Sequence, residues 1–149
     1  DGRLASLKGF GKKSAENFQK AAEFVLTSEK RMRLNVAEQL AIVLIQTLEQ
    51  SLPNIKVTVS GSLRRCLETV GNINLIVMNA TAKDVAKVLA SIATVNEVLE
   101  SSLSASVEGR DIYITIVNKE NFGAVLAYQT GNYEYRQMLL ERAIELGFE

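Results

Sequence analysis

A single proline, Pro53, separates two hydrophobic rhythms that no one element of secondary structure can satisfy. Before it, Ala37, Leu40, Ala41, Leu44, Ile45, Leu48 and Leu52 recur at helical spacing, the stripe of an amphipathic helix. After it, Ile55, Val57 and Val59 alternate with Lys56, Thr58 and Ser60, the signature of a strand with one buried face. Proline lacks an amide hydrogen and holds its predecessor away from helical dihedrals, so the helix must stop there. Asn35 with Glu38 predicts the start of that helix as a capping box. A long helix feeding directly into a strand commits the chain to packing helices on a sheet.

The remaining patterns fill in such a fold. Ile73, Leu75 and Val77 alternate with Asn72, Asn74, Ile76 and Met78, a second strand. Residues 81–92 read as a helix with Val85, Val88, Leu89 and Ile92 turned inward. The β pattern returns over 98–107 and 111–117, with Glu108-Gly109-Arg110 as the hairpin connection. Residues 122–128 and 134–146 are helical, and Gly131 and Gly147 stand where left-handed caps are expected. Nearer the amino terminus, Gly9 and Gly11 flank Phe10 in a tight turn that leads into a helix bearing Phe18, Ala22 and Val25. The expected fold class is α+β: a domain over 60–147 with its strands in one layer and its helices on one side of it, preceded by a helical module.

Composition narrows the chemistry. The chain has no histidine, which removes imidazole bases, Ser-His and Cys-His nucleophiles and histidine-ligated zinc. Cys66 is the only cysteine, so no internal disulfide can form, and the expected setting is cytoplasmic. At that position a small, semi-buried residue is expected rather than a reactive thiol. No run approaches the roughly 18 to 20 apolar residues of a membrane span, so no membrane partner is expected. The formal net charge is zero, yet residues 1–33 hold eight basic and four acidic side chains, leaving the remainder acidic. A basic segment on a mildly acidic body suits a local polyanion contact, or equally a solvated helix.

Four segments, LKGFGKKSAE, GSLRRCLETVGNIN, EGRDIYITIV and NFGAVLAYQTGN, in this order and spacing resemble the family X DNA polymerases. The likeness is strongest to bacterial members that join a polymerase core to a downstream phosphoesterase domain. It implies a fingers-type helix-hairpin-helix over 1–33 and a polymerase beta-like nucleotidyltransferase palm with a mixed sheet over 34–149, ending before the thumb. In such hairpins backbone N–H groups meet a DNA phosphate and lysines add attraction that does not depend on sequence. Gly9, Gly11, Lys12 and Lys13 match those positions, implying weak DNA contact. The bland alternative is a glycine-rich connection with exposed lysines. The Gly-Ser turn of the family holds an incoming triphosphate, and Ser62, Arg65 and Gly71 match its contacts, so a nucleoside triphosphate is a candidate ligand. Alternatively Ser62 caps the short helix that follows and Arg65 pairs with Glu68.

The resemblance also implies three aspartates that hold two magnesium ions, two of them one residue apart on a strand and one on its neighbour. Here those positions are Asn72, Asn74 and Tyr113. Magnesium is a hard cation held mainly by anionic oxygen, so no magnesium or other cofactor is expected, and the tyrosine ring is expected to fill the metal cavity. Thr115 stands in place of an arginine, Gln129 in place of an aromatic residue and Asn132 in place of a serine. The expectation is a polymerase-like fragment that has lost turnover and serves as a DNA-binding or structural platform for downstream thumb and phosphoesterase domains. Two alternatives stand beside it: an active nucleotidyltransferase using a displaced acid such as Asp111, and an interaction module that touches no nucleic acid.

Overall fold

The computed structural model describes residues 31–148 and, nearer the amino terminus, Lys13, Glu16, Asn17 and Lys20. The chain divides into two compact units, Asp1–Arg31 and Met32–Glu149. In the first, Lys13, Glu16, Asn17 and Lys20 are helical and exposed, and Arg31 is exposed outside any helix or strand. Gly9, Gly11 and Lys12 lie outside the described residues.

The second unit begins with a short strand, β1 (Met32–Arg33), which runs straight into helix α1 (Leu34–Ser51). The expected capping box at Asn35 does not form: Arg33 occupies the cap position and no side chain bonds the first turn. The helix is instead anchored through backbone. Met32 and Arg33 pair antiparallel with Val70 and Thr69 of β3 (Thr69–Val70), and the Leu34 amide donates to the Glu68 carbonyl at 3.1 Å. One of the orphan amides of the first turn is thereby satisfied from elsewhere in the chain. At the other end Leu52, directly before the proline, is extended with φ −120° and ψ 116°.

Five strands form the main sheet in the order β2 (Lys56–Ser60), β4 (Ile73–Met78), β7 (Arg110–Val117), β6 (Ser102–Val107) and β5 (Thr94–Val98). All neighbours are antiparallel except β4 and β7, which run parallel, so the sheet is mixed. The parallel pair needs a long crossover. Helix α3 (Ala82–Leu89) and the β5–β6 hairpin provide it. Thr81 caps α3: its Oγ1 accepts from the Asp84 amide and donates to the Asp84 carboxylate at 2.6 Å. Glu108 and Gly109, both with positive φ, make the two-residue turn into β7, which suits the right-handed twist of the strands it joins.

Alternation along the strands sorts the sheet into two faces. Val57, Leu75, Val77, Ile112 and Ile114 meet Ala37, Ala41, Leu44 and Leu48 of α1 and Val85 and Leu89 of α3 in one buried core. The opposite face carries Ser60, Asn74, Ile76, Tyr113 and Thr115. Here the expectation of helices on one side fails. Helix α4 (Phe122–Thr130) lies on this second face, with Lys56 Nζ 5.2 Å from the Phe122 ring centroid at one end and Gln129 bonded to Ser60 and Thr115 at the other. Covered on both sides, β4 buries Ile76 as fully as Ile73, Leu75 and Val77. Asn132 then caps helix α5 (Tyr133–Glu145) by accepting from the Tyr135 amide.

Three local expectations are corrected. The β stretch expected over 98–107 is two strands. β5 covers 94–97, which the hydrophobic pattern left unassigned because this edge strand is mostly exposed and bulges between Val95 and Glu97, and it ends at Val98; the chain turns over 99–101 before β6. Helix α3 ends at Leu89, so Ile92 sits beyond it and is 38% exposed instead of turned inward. Gly131 has φ −60°, not a left-handed angle; a side chain there would collide with the Tyr135 ring. Gly147 does take the left-handed conformation, at φ +75°. Leu89→Ala is expected to cost about 2–5 kcal/mol in urea unfolding, as for a fully buried leucine, whereas Ile92→Ala is expected to cost under about 1 kcal/mol. Equal losses would show that Ile92 belongs to the core.

Candidate functional site

The site grows out of one backbone reversal. β2 ends at Ser60, and Gly61 opens the single-turn helix α2 (Gly61–Arg64) with φ +68°, a conformation open to glycine without a Cβ penalty. A second constraint acts at the same residue: a Cβ on Gly61 would lie 2.6 Å from Asn74 Nδ2. The glycine thus permits both the turn and the close approach of the asparagine amide.

Register then aligns the polar groups. Ser60 pairs with Asn74, Asn74 with Tyr113, Tyr113 with Ser104, and Ser104 with Glu97, one row running across all five strands. Within it the two asparagines bond each other, Asn74 Nδ2 donating to Asn72 Oδ1 at 2.7 Å. Ser60 is completely buried; its hydroxyl donates to Gln129 Oε1 at 3.0 Å and lies 3.4 Å from the Asn74 carbonyl oxygen. Gln129 in turn donates from Nε2 to Thr115 Oγ1 at 2.7 Å. Buried polar groups are costly unless paired, and here Asn72, Asn74, Ser60, Gln129 and Thr115 supply one another's partners.

This arrangement does not fit a divalent-cation cradle. Asn72, in the bend just before β4, and Asn74, on it, stand two residues apart, and Tyr113 lies across from Asn74 on parallel β7, but the three supply no carboxylate. Asn74 Nδ2 donates directly to Asn72 Oδ1, so a neutral donor already engages the oxygen that a cation would need. Asp111 shares the face of Tyr113, but it is exposed and stands in register with Ser106. Among the described residues no three His, Cys, Asp or Glu side chains are grouped to hold a metal. Tyr113 is not a plug either: it is 45% exposed and lines a shallow groove of about 270 Å³ with Glu97, Leu99, Ser102 and Ser104.

The residues matched to triphosphate contacts surround the Gly-Ser turn. Ser62 is the second residue of α2 and half-buried; it does not cap the helix, since the cap position belongs to Ser60. Gly71 lies half-buried in the bend before β4. Arg65 does not pair with Glu68. Its Nη1 donates to the Thr130 carbonyl at 2.6 Å, a cation placed on the carbonyl end of α4. Arg64 and Arg65 line one wall of an open groove of about 620 Å³, and Ala127, Thr130, Gly131, Asn132 and Tyr135 line the other. Lys13, on the separate amino-terminal unit, is exposed. Cys66 is exposed rather than semi-buried and has φ +53°.

Ser60 belongs to the site although no motif marks it. Its signal was the alternation itself, which puts Thr58 and Ser60 on the face of Asn74 and Ile76, opposite the hydrophobic core. Thr115 and Gln129, seen only as departures from a pattern, prove to be bonding partners.

No family model matches the chain. It is 29% identical over 150 residues to the DNA polymerase/3'-5' exonuclease PolX of Bacillus subtilis (strain 168), an alignment that takes in 94% of this chain and 26% of that protein. The chain thus spans about a quarter of the length of this curated relative. Among the described residues no helix is long and apolar enough to cross a membrane.

Gly61→Ala combines a left-handed backbone angle with a contact against Asn74, and is expected to destabilise the domain by about 2 kcal/mol or more. Thermal unfolding checks it. A change below about 0.5 kcal/mol would mean that the turn can rearrange freely.

Proposed function

We propose that this chain is a polymerase-like fragment whose palm no longer transfers nucleotides and which serves as a DNA-binding or structural platform. The observation that carries this reading is the bond between Asn74 and Asn72, set beside Tyr113 across the parallel strand pair. Two neighbouring carboxylates repel one another and call for a cation; two amides bond directly and need none. Phosphoryl transfer depends almost wholly on positioning and charge stabilisation, and this pocket offers neutral groups where charge is required. The similarity to a protein named as a DNA polymerase and exonuclease supports the polymerase-like part of the reading. A DNA role draws on that similarity together with the excess of basic side chains over residues 1–33 and the exposed Lys13.

The purified chain, supplied with magnesium or manganese, a primed template and deoxynucleoside triphosphates, is expected to give no primer extension. Binding to duplex DNA is expected to be weak and to fall steeply as salt rises, since it rests on backbone phosphates. Metal-dependent extension lost on Asp111→Ala would instead establish a rearranged active centre. DNA affinity unchanged by the pair Lys12→Ala and Lys13→Ala, or insensitive to salt, would leave the structural role alone standing. The combined change Asn72→Asp, Asn74→Asp and Tyr113→Asp is expected to create magnesium binding measurable by titration calorimetry where the parent shows none. Magnesium binding by the parent at these side chains would overturn the proposal.

A further inference from the structure

Helix α4 faces an energetic problem that its sequence does not resolve. It is apolar over most of its length, yet none of its residues is fully buried, so hydrophobic packing alone fixes its seat on the sheet only loosely. Its last turn, however, is tied at two points. Gln129 reaches down to the sheet, accepting from Ser60 of edge strand β2 at 3.0 Å and donating to Thr115 of β7 at 2.7 Å. It thus spans β4, which lies between those two strands. From the other side Arg65 donates to the Thr130 carbonyl at 2.6 Å, one of the acceptors that the end of a helix leaves without an intrahelical partner.

We propose that Gln129 and Arg65 form a two-point clip that locks α4 in one seat and thereby fixes the width of the groove between Arg64 and Arg65 on one wall and Gly131, Asn132 and Tyr135 on the other. The two points differ in kind. Gln129 is a neutral link to strands β2 and β7, with Ser60 completely buried at its far side. Arg65 is a charged link at the exposed rim, from the Gly-Ser turn to the end of the helix. Because α5 follows α4 with only Gly131 and Asn132 between them, the clip also sets where α5 begins. Both residues are positioning residues: they act on the groove through α4. The clip is independent of turnover and stands whether or not the chain transfers nucleotides.

Native-state hydrogen exchange on the full chain tests it, because local opening of α4 can be read separately from the sheet. Gln129→Met keeps length and volume but removes both bonds to the sheet, and Arg65→Ala removes the rim bond. Each is expected to speed exchange of the α4 amides, including the Gly131 amide that donates to Ala127, by about three- to tenfold. The double variant should approach the product of the two factors, since both links oppose the same opening. Amides of β4 should stay unchanged throughout. Unchanged exchange in α4 for both single variants, or acceleration spread equally over β4 and α4, would overturn the clip. Should Gln129→Met fail to fold, Thr115→Val decides in its place: it removes the acceptor for Gln129 Nε2 alone, and α4 exchange at the parent rate would overturn the proposal.

Discussion

The parallel pairing of β4 with β7 is the constraint on which the rest of this domain depends. Its register places Ile73 beside Ile112 and Leu75 beside Ile114 on the core face, under α1 and α3, and Asn74 beside Tyr113 on the other. Because side chains alternate strictly, these two placements cannot be separated. A slip of one residue would carry the asparagine into the core and an isoleucine onto the polar face. Packing of the helices on one side therefore holds the polar row in register on the other.

That polar row is consistent in charge as well as in geometry. Two carboxylates about 4 Å apart repel by about 1 kcal/mol in water and several times that in a less polar setting. Removing the ions from a carboxylate cradle would leave this repulsion in place. With Asn72 and Asn74 it is replaced by a hydrogen bond, and Ser60, Gln129 and Thr115 close a second set of bonds beside it. The neutral side chains at 72, 74, 115 and 129 thus make structural sense together: each provides a donor or acceptor that another of them, or Ser60, uses.

Much of the architecture was legible because one-sided burial writes its period into the sequence. Helix α1, strands β2, β4 and β7 and the Glu108-Gly109 turn follow from alternation and turn chemistry alone. What was missed has a common cause. The edge strand β5 has little buried surface to impose a pattern, and the start of α1 is set by pairing with Thr69 and Val70, far along the chain, so a local cap motif misled. Ile76 looked like the exposed member of an alternating strand until α4 covered it. In the site, Asn72, Asn74 and Tyr113 are singled out by the resemblance alone, whereas the partners of Gln129 and Arg65 depend on where a later helix comes to rest. No local rule encodes that.

The irregularity in β5 bears on how this molecule behaves in company. A regular outermost strand presents an unbroken ladder of amides and carbonyls that invites a neighbouring molecule to add its own strand. The bulge between Val95 and Glu97 interrupts that ladder, and Glu97, exposed beside it, adds a charge that a stacked copy would have to bring against its own. A kink that costs the sheet some regularity thus disfavours the addition of a further strand at this margin.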